Sequence, residues 1–174
     1  ANWNETYPAQ IERGTPKAPK KGNFTASLTT EDYIDTNGVE QIVMDKTSNT
    51  ILLDGRPEKQ FWGEEKHPKV LATGHIPGAT LLTQSNAYDE ISNKLKPTKM
   101  LNEIYSDMRS KPVVSYCNTG HWAAMNWFVL SELLGNENVT LYDGSMVEWT
   151  KDSNRPLIKE KSNFTKIKEF FRLG

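Results

Sequence analysis

Short apolar runs separated by helix-like segments limit the folds that this chain can adopt. Residues 50–54, an apolar run that ends in an acid, and the β-rich residues 113–116 are typical of strands buried on both faces. Residues 79–82 and 139–142 are two further strand candidates. Because helix-like segments lie between these runs, the order predicts an α/β fold with a central, mainly parallel sheet and helices on both of its faces.

The helix-like segments have apolar residues spaced so that one face can be buried. We predict helices that start at Asn37 or Gly38, that cover residues 97–109 and 123–134, and that close the chain at 164–171. In the helix over 97–109, the residues expected to face the core are Met100, Leu101, Ile104 and Met108. Proline, glycine and lysine residues break any periodicity in residues 1–23, which we interpret as a linker or N-terminal extension. Residues 24–174 then form a single domain.

Composition and charge exclude several classes of function. The 174 residues carry a net charge of −1, so nothing indicates a nucleic-acid partner, and no apolar run approaches transmembrane length. A single cysteine excludes an internal disulfide framework and a multi-cysteine zinc site. The three histidines, His67, His75 and His121, lack the spacing of metal ligands. We therefore expect no metal, no other cofactor and no membrane partner.

Cys117, the one cysteine, occupies the position expected of an activated nucleophile. It follows the apolar run at 113–116 and precedes a polar, glycine-containing stretch and the predicted helix over 123–134. This layout would surround one sulfur with backbone N–H groups and the positive end of a helix dipole, both of which favour a thiolate. The alternative is a buried structural cysteine, a common fate of a lone cysteine. The nucleophile interpretation requires an exposed thiolate.

Three polar segments follow predicted strands, and ligands bind beyond the carboxyl ends of the strands in such sheets. Residues 54–56 (Asp-Gly-Arg) follow one strand, residues 117–122 follow the next, and residues 143–145 (Asp-Gly-Ser) follow a third. We expect these segments to converge and to form a site.

Four segments, in this order, resemble those of a known family. Residues 53–58 and the Phe-Trp-Gly that follows resemble the Asp-x-Arg segment of rhodanese domains, and residues 74–79 resemble their Gly-His-Ile-Pro-Gly-Ala turn. Residues 116–123 are similar to their active-site loop. Residues 142–149 resemble the Asp-Gly-Ser segment near the end of the catalytic C-terminal domain of tandem rhodaneses. The resemblance covers residues 24–156 approximately.

This resemblance implies a rhodanese-like fold and a sulfurtransferase activity. Cys117 would take a sulfane sulfur as a persulfide from a small anionic donor, thiosulfate or 3-mercaptopyruvate, and pass it to a thiol, to cyanide or to a protein. Residues 1–3 and 23–26 resemble the segments that join the two domains of tandem rhodaneses. We therefore expect a further, N-terminal rhodanese domain in the full protein.

Several residues near the cysteine are candidates for donor binding. Arg56 could grip an anionic donor with its guanidinium, or it could instead pair with Asp54 or Glu58 for structure alone. His121 is the only titratable cation of the loop and could attract anions, or it could simply be solvated. Trp122 could cover the pocket or pack beneath the loop. The loop residues assigned to donor binding are Asn118, Thr119, Gly120, His121 and Trp122.

Three further residues are assigned structural roles near the site. We expect Asp54 to shape the loop at the end of its strand, His75 to fix a turn through hydrogen bonds, and Asp143 to brace a loop. Donor identity stays open, because thiosulfate-using members often have basic residues immediately after the cysteine, whereas this chain has Asn118 and Thr119.

Two other functions compete with sulfur transfer to small molecules. Cysteine-dependent phosphatases need an arginine six positions after the cysteine, where this chain has Ala123, and the next arginine is Arg155. The phosphatase interpretation is therefore disfavoured. A persulfide carrier or a rhodanese-like interaction module with little turnover is the alternative that stays open.

Overall fold

A four-stranded parallel sheet forms the centre of the molecule. The computed structural model describes residues 14–27 and 30–159, and the fold is that of these residues. Within them, the strands are β1 (Ile51–Asp54), β2 (Thr80–Leu81), β3 (Tyr88–Asp89), β4 (Lys94–Leu95), β5 (Val113–Tyr116) and β6 (Val139–Leu141). The sheet has the order β2-β1-β5-β6, and each neighbouring pair of strands is parallel. β3 and β4 form a separate antiparallel pair.

Helices connect the strands of the sheet. They are α1 (Thr36–Met44), α2 (Glu58–Phe61), α3 (Thr98–Ile104), α4 (His121–Phe128) and α5 (Ser145–Trp149). Two 3₁₀ turns lie at Gln84–Ala87 and Ser106–Met108, and α4 continues as a π-helical segment at Val129–Leu133. Apart from the separate hairpin, this arrangement confirms the predicted α/β fold with its parallel sheet.

Two apolar cores cover the two faces of the sheet, because neighbouring residues of a strand point to opposite faces. Leu53 of β1 belongs to the core that contains Leu101 of α3 and Leu130 of the π segment. Leu52 belongs to the core that contains Val39 of α1 and Trp149 of α5. All six of these side chains are almost fully buried. Helices therefore flank both faces, as the sequence predicted.

Some helix boundaries differ from the prediction for local reasons. α1 starts at Thr36 rather than at Asn37 or Gly38, because the Asp35 carboxylate accepts a hydrogen bond from the Gly38 N–H and caps the helix. The helix predicted over 97–109 ends at Ile104 and resumes as a 3₁₀ turn, and Met100 is exposed rather than in the core. The helix predicted over 123–134 begins two residues earlier, at His121.

The described residues contain no helix that is long and apolar enough to span a membrane. The helix predicted over 164–171 lies outside the described residues, as does most of the predicted extension at 1–23. For the site, the important feature is the carboxyl edge of the sheet, where Asp54 at the end of β1 is in register with Tyr116 at the end of β5.

Candidate active site

Cys117 is the first residue after β5, at the carboxyl edge of the sheet. It is 1% exposed and lies in a small apolar cluster with Ala123 of α4 and Leu141 of β6. Trp122 and Trp127 pack against this cluster. The expectation of an exposed thiolate is therefore wrong for this structure, because side chains from α4 and β6 enclose the sulfur.

The loop after Cys117 leads directly into α4. Gly120 is the residue before the helix and has φ = 82°, a left-handed conformation that glycine adopts without strain. A side chain at this position would also collide with the carboxylate of Asp143. Among the described residues, none accepts a backbone hydrogen bond from the N–H groups of residues 118–122. The loop therefore retains several unpartnered donors beside the cysteine.

The segment at the start of α5 holds the backbone of this loop. The Cys117 N–H donates to Ser145 Oγ at 3.0 Å, and the Ser145 hydroxyl donates to the Tyr142 carbonyl oxygen at 2.9 Å. The N–H groups of Met146 and Val147 donate to the carbonyl oxygens of Cys117 and Asn118, at 3.1 and 3.0 Å. The first residues of α5 thus hold the backbone of Cys117 and Asn118 through hydrogen bonds.

Arg56 follows β1 at the same edge of the sheet and forms a buried ion pair with Asp54. Its Nη2 is 2.7 Å from Asp54 Oδ2 and 2.9 Å from the Gly74 carbonyl oxygen, and its Nε donates to both carboxylate oxygens at 3.0 Å. The side chains of Arg56 and Asp54 are 2% and 0% exposed. From sequence, Arg56 could bind a donor or pair with Asp54 or Glu58 for structure alone, and the pairing with Asp54 is present. Its contact with a donor stays a prediction.

Charges and burial shift two pKa values at this site. Burial lowers the pKa of Arg56, but the Asp54 carboxylate outweighs burial and the net shift is upward, with smaller contributions from Tyr116 and Cys117. Arg56 and Cys117 lie just beyond the neighbouring ends of β1 and β5, where Asp54 is in register with Tyr116. Burial, followed by the Asp54 charge, raises the pKa of the Tyr116 hydroxyl well above its usual value. Tyr116 is thus a neutral group beneath the site.

Asn118 connects the loop to α2. Its Nδ2 donates to Gln60 Oε1 at 2.8 Å, and the residue is 2% exposed. Its Oδ1 is buried and has no hydrogen-bond partner among the described residues. The side chain of the residue next to the cysteine is therefore held by the segment that follows Arg56.

The remaining candidates surround this centre at different depths. His75 is buried, stacks on Phe61 with ring centroids 3.7 Å apart, and forms a 2.9 Å hydrogen bond with the Phe61 carbonyl oxygen through Nδ1. Asp143 is exposed and lies against Gly120. Thr119 and Trp122 are half-buried, and His121 is exposed at the first turn of α4. The three predicted segments thus converge, while the individual roles stay predictions.

A family model for the rhodanese-like domain matches residues 38–152 of this chain. The match includes Arg56, the cysteine loop and Ser145. The chain belongs to the rhodanese-like domain family. The described residues also contain no group of three or more histidine, cysteine or acidic side chains that could hold a metal ion.

Curated relatives of this rhodanese-like chain include proteins named for sulfur chemistry. A thiosulfate sulfurtransferase of Corynebacterium glutamicum is 38% identical over 113 residues, which cover 61% of this chain and 37% of that protein. A sulfur carrier protein of Thermus thermophilus is 32% identical over 130 residues, which cover 70% of this chain and 45% of that protein. The chain thus spans less than half of the length of these relatives.

Solved structures share the fold at low sequence identity. A structure of EanB with a cysteine persulfide and ergothioneine has a TM-score of 0.72 at 20% identity, covering 89% of this chain and 39% of that one. An anaerobic ergothioneine biosynthesis enzyme from Chlorobium limicola has a TM-score of 0.66 at 21% identity, covering 76% of this chain and 33% of that one. These similarities support the fold alone.

Two residues at the site were missed by the candidate assignments from sequence. Ser145 lies in the Asp-Gly-Ser segment that was expected to reach the site, so its position gave a usable signal. Gln60 is one polar residue in a short helix, and nothing in its local sequence indicates that it meets Asn118.

Proposed function

We propose that this rhodanese-like domain is a sulfurtransferase in which Cys117 carries the transferred sulfur as a persulfide. The observation that supports it best is the loop after Cys117, whose N–H groups at residues 118–122 have no partners among the described residues. Such amides can stabilise an anionic sulfur without any reorganisation during the reaction. The names of curated relatives agree with this chemistry.

The reaction consists of two displacements at sulfur. The Cys117 thiolate attacks the transferable sulfur of an anionic donor, a new S–S bond forms, and the rest of the donor leaves with the electron pair of its broken bond, which is S–S in thiosulfate and C–S in 3-mercaptopyruvate. With thiosulfate the leaving group is sulfite, and with 3-mercaptopyruvate it is the pyruvate enolate, which then takes a proton. A thiol, cyanide or a protein thiolate next attacks the outer sulfur and releases the Cys117 thiolate.

The charges near the loop bear on how the donor is held. Arg56 adds a positive charge at the same edge of the sheet, but the Asp54 carboxylate offsets most of it. We therefore assign stabilisation of the sulfur anion mainly to the loop amides and the N-terminus of α4. Arg56 and the loop residues from Asn118 to Trp122 are proposed to form the donor pocket, with His121 exposed at its surface.

A relay function is the second candidate, and the burial of the sulfur favours it. Cys117 is 1% exposed, so a partner would have to displace a covering side chain such as Trp122. A protein acceptor that opens this cover would give slow turnover with cyanide and rapid transfer to that partner. The relative named as a sulfur carrier fits the same idea.

Intact-mass measurement tests the proposal directly. Incubation with thiosulfate or 3-mercaptopyruvate should add the mass of one sulfur to the wild-type chain, and subsequent cyanide should remove it. Cys117→Ser, which keeps the size of the side chain, should gain none. A sulfur adduct that survives in Cys117→Ser would contradict the assignment. Rapid loading with negligible turnover would select the relay, whereas no loading by either donor would reject both candidates.

A further inference from the structure

Ser145 connects α5 to the nucleophile, although its side chain takes no part in the proposed chemistry. We propose that Ser145 is a positioning residue for sulfur transfer, because its hydroxyl fixes the backbone of Cys117 and the course of the loop that follows. This inference rests on the proposed function of Cys117.

Three hydrogen bonds from one short segment determine where the loop begins. Ser145 Oγ accepts from the Cys117 N–H at 3.0 Å, and the N–H groups of Met146 and Val147 donate to the carbonyl oxygens of Cys117 and Asn118. The Ser145 hydroxyl itself donates to the Tyr142 carbonyl oxygen at 2.9 Å, at the end of β6. Ser145 thus links the backbone of Cys117 to the end of β6.

The backbone of Ser145 is in an unfavourable conformation, which supports a functional role for its hydrogen bond with Cys117. Its φ is 49°, and the only other non-glycine residue with a positive φ in the described part of the chain is Asn93, between β3 and β4. Serine is disfavoured in the left-handed region, whereas asparagine tolerates it. Ser145 is also fully buried. Such strained residues persist where the surrounding structure requires them, often at functional sites.

The hydroxyl also determines which amides remain available to the sulfur. Because the Cys117 N–H donates to Ser145, the loop donors that have no partner among the described residues are the N–H groups of residues 118–122. Without this acceptor, the Cys117 amide would compete for other acceptors and the sulfur would move relative to the loop. Because small displacements of a reacting atom have large effects on rate, removal of the Ser145 hydroxyl should lower mainly kcat.

Two variants of Ser145 separate the hydroxyl from the backbone conformation. Ser145→Ala removes the acceptor and keeps a side chain, while Ser145→Gly also relieves the strain at positive φ. Thr150→Val is the matched control, because the Thr150 hydroxyl lies in the same part of the chain, is buried, and makes two hydrogen bonds without touching the loop. Amide hydrogen exchange at Cys117 and steady-state sulfur transfer are measured for all three variants, at a temperature where each is folded.

In both Ser145 variants, exchange of the Cys117 amide should accelerate by at least about tenfold. Their kcat should fall on the order of 10- to 100-fold with little change in KM. Thr150→Val should retain wild-type exchange at Cys117 and wild-type kcat. Unchanged exchange, or faster exchange with unchanged kcat, would overturn the inference. If wild-type protein transfers no sulfur, the proposed function fails instead, and amide exchange still tests the hydrogen bond.

Discussion

Removal of the Arg56 guanidinium should destabilise the protein strongly, because it leaves a buried carboxylate without its counterion. Asp54 is 0% exposed and receives three contacts of 2.7–3.0 Å from the Arg56 side chain. In Arg56→Ala, Asp54 keeps the backbone N–H of residue 56 but loses its only ion-pair partner among the described residues. Breaking a buried ion pair from one side costs about 3–5 kcal/mol. At 2–4 °C per kcal/mol for a chain of this size, the melting temperature should fall by about 6–20 °C.

A double variant separates loss of the charge from loss of the pair. In Asp54→Leu/Arg56→Met, neither charge remains, so this protein should be more stable than Arg56→Ala, which keeps one charge buried. Urea denaturation and calorimetry of the three proteins measure the difference. If Arg56→Ala unfolds within about 0.5 kcal/mol of wild type, the range of ordinary surface substitutions, the reasoning from buried charge is refuted.

The same series decides whether Arg56 also contacts the donor. Arg56→Lys keeps the charge but cannot reproduce the fork that meets both oxygens of Asp54. If Arg56 serves structure alone, folded Arg56→Lys should lose stability and keep the wild-type KM for thiosulfate. If Arg56 also binds the donor, KM should rise in protein that is demonstrably folded, with a smaller change in kcat. Kinetics measured well below the melting temperature of the variant separate these outcomes.

Three further predictions address the loop and its surroundings. Gln60→Leu and Asn118→Leu should show a coupling free energy of about 1 kcal/mol in a double-mutant cycle of unfolding, and additive effects would contradict a bond between their amides. If the exposed His121 imidazole contacts the donor, KM for thiosulfate should rise in His121→Gln at one fixed pH, whereas an unchanged KM would make His121 a bystander. Burial raises the pKa of Tyr142 to about 12, above the value of ~10 in the unfolded chain, so the contribution of Tyr142 to stability should be constant below about pH 10 and fall between pH 10 and 12. Tyr142→Phe should reduce that slope by ~1.4 kcal/mol per pH unit, although it also loses the bond to Thr36, and an unchanged slope would exclude Tyr142 as its source.

The strands of the sheet could be predicted from sequence because their apolar runs are uninterrupted. The run at 50–54 became β1 at Ile51–Asp54, and the run at 139–142 became β6 at Val139–Leu141. β3 and β4 have two residues each and stand in no apolar run, unlike the equally short β2, so no sequence pattern indicates them. The change of α4 to a π-helical segment depends on packing, and its sequence reads as ordinary helix.

The site could be predicted only where the chemistry is local in sequence. Cys117 and Arg56 stand in recognisable motifs at the ends of neighbouring strands, so topology was enough to bring them together. The burial of Cys117 depends on Trp122, Trp127 and Leu141, and their combined packing has no signature in the loop itself. The contact between Gln60 and Asn118 joins side chains 58 positions apart, and single-sequence patterns carry no information about such pairs.

The charges near the Cys117 sulfur affect which groups can determine donor specificity. Arg56 is committed to Asp54, and Asp143 places an exposed carboxylate against the loop at Gly120. In the described part of the chain, the loop after Cys117 carries no lysine or arginine of its own. Under the proposed function, we expect attraction of an anionic donor to depend more on the backbone amides, whose direction is set by Gly120 and Ser145, than on Arg56 or His121. An anion held by amides is recognised through the geometry of the loop, so backbone-directing residues should affect donor choice more than the polar side chains of the loop.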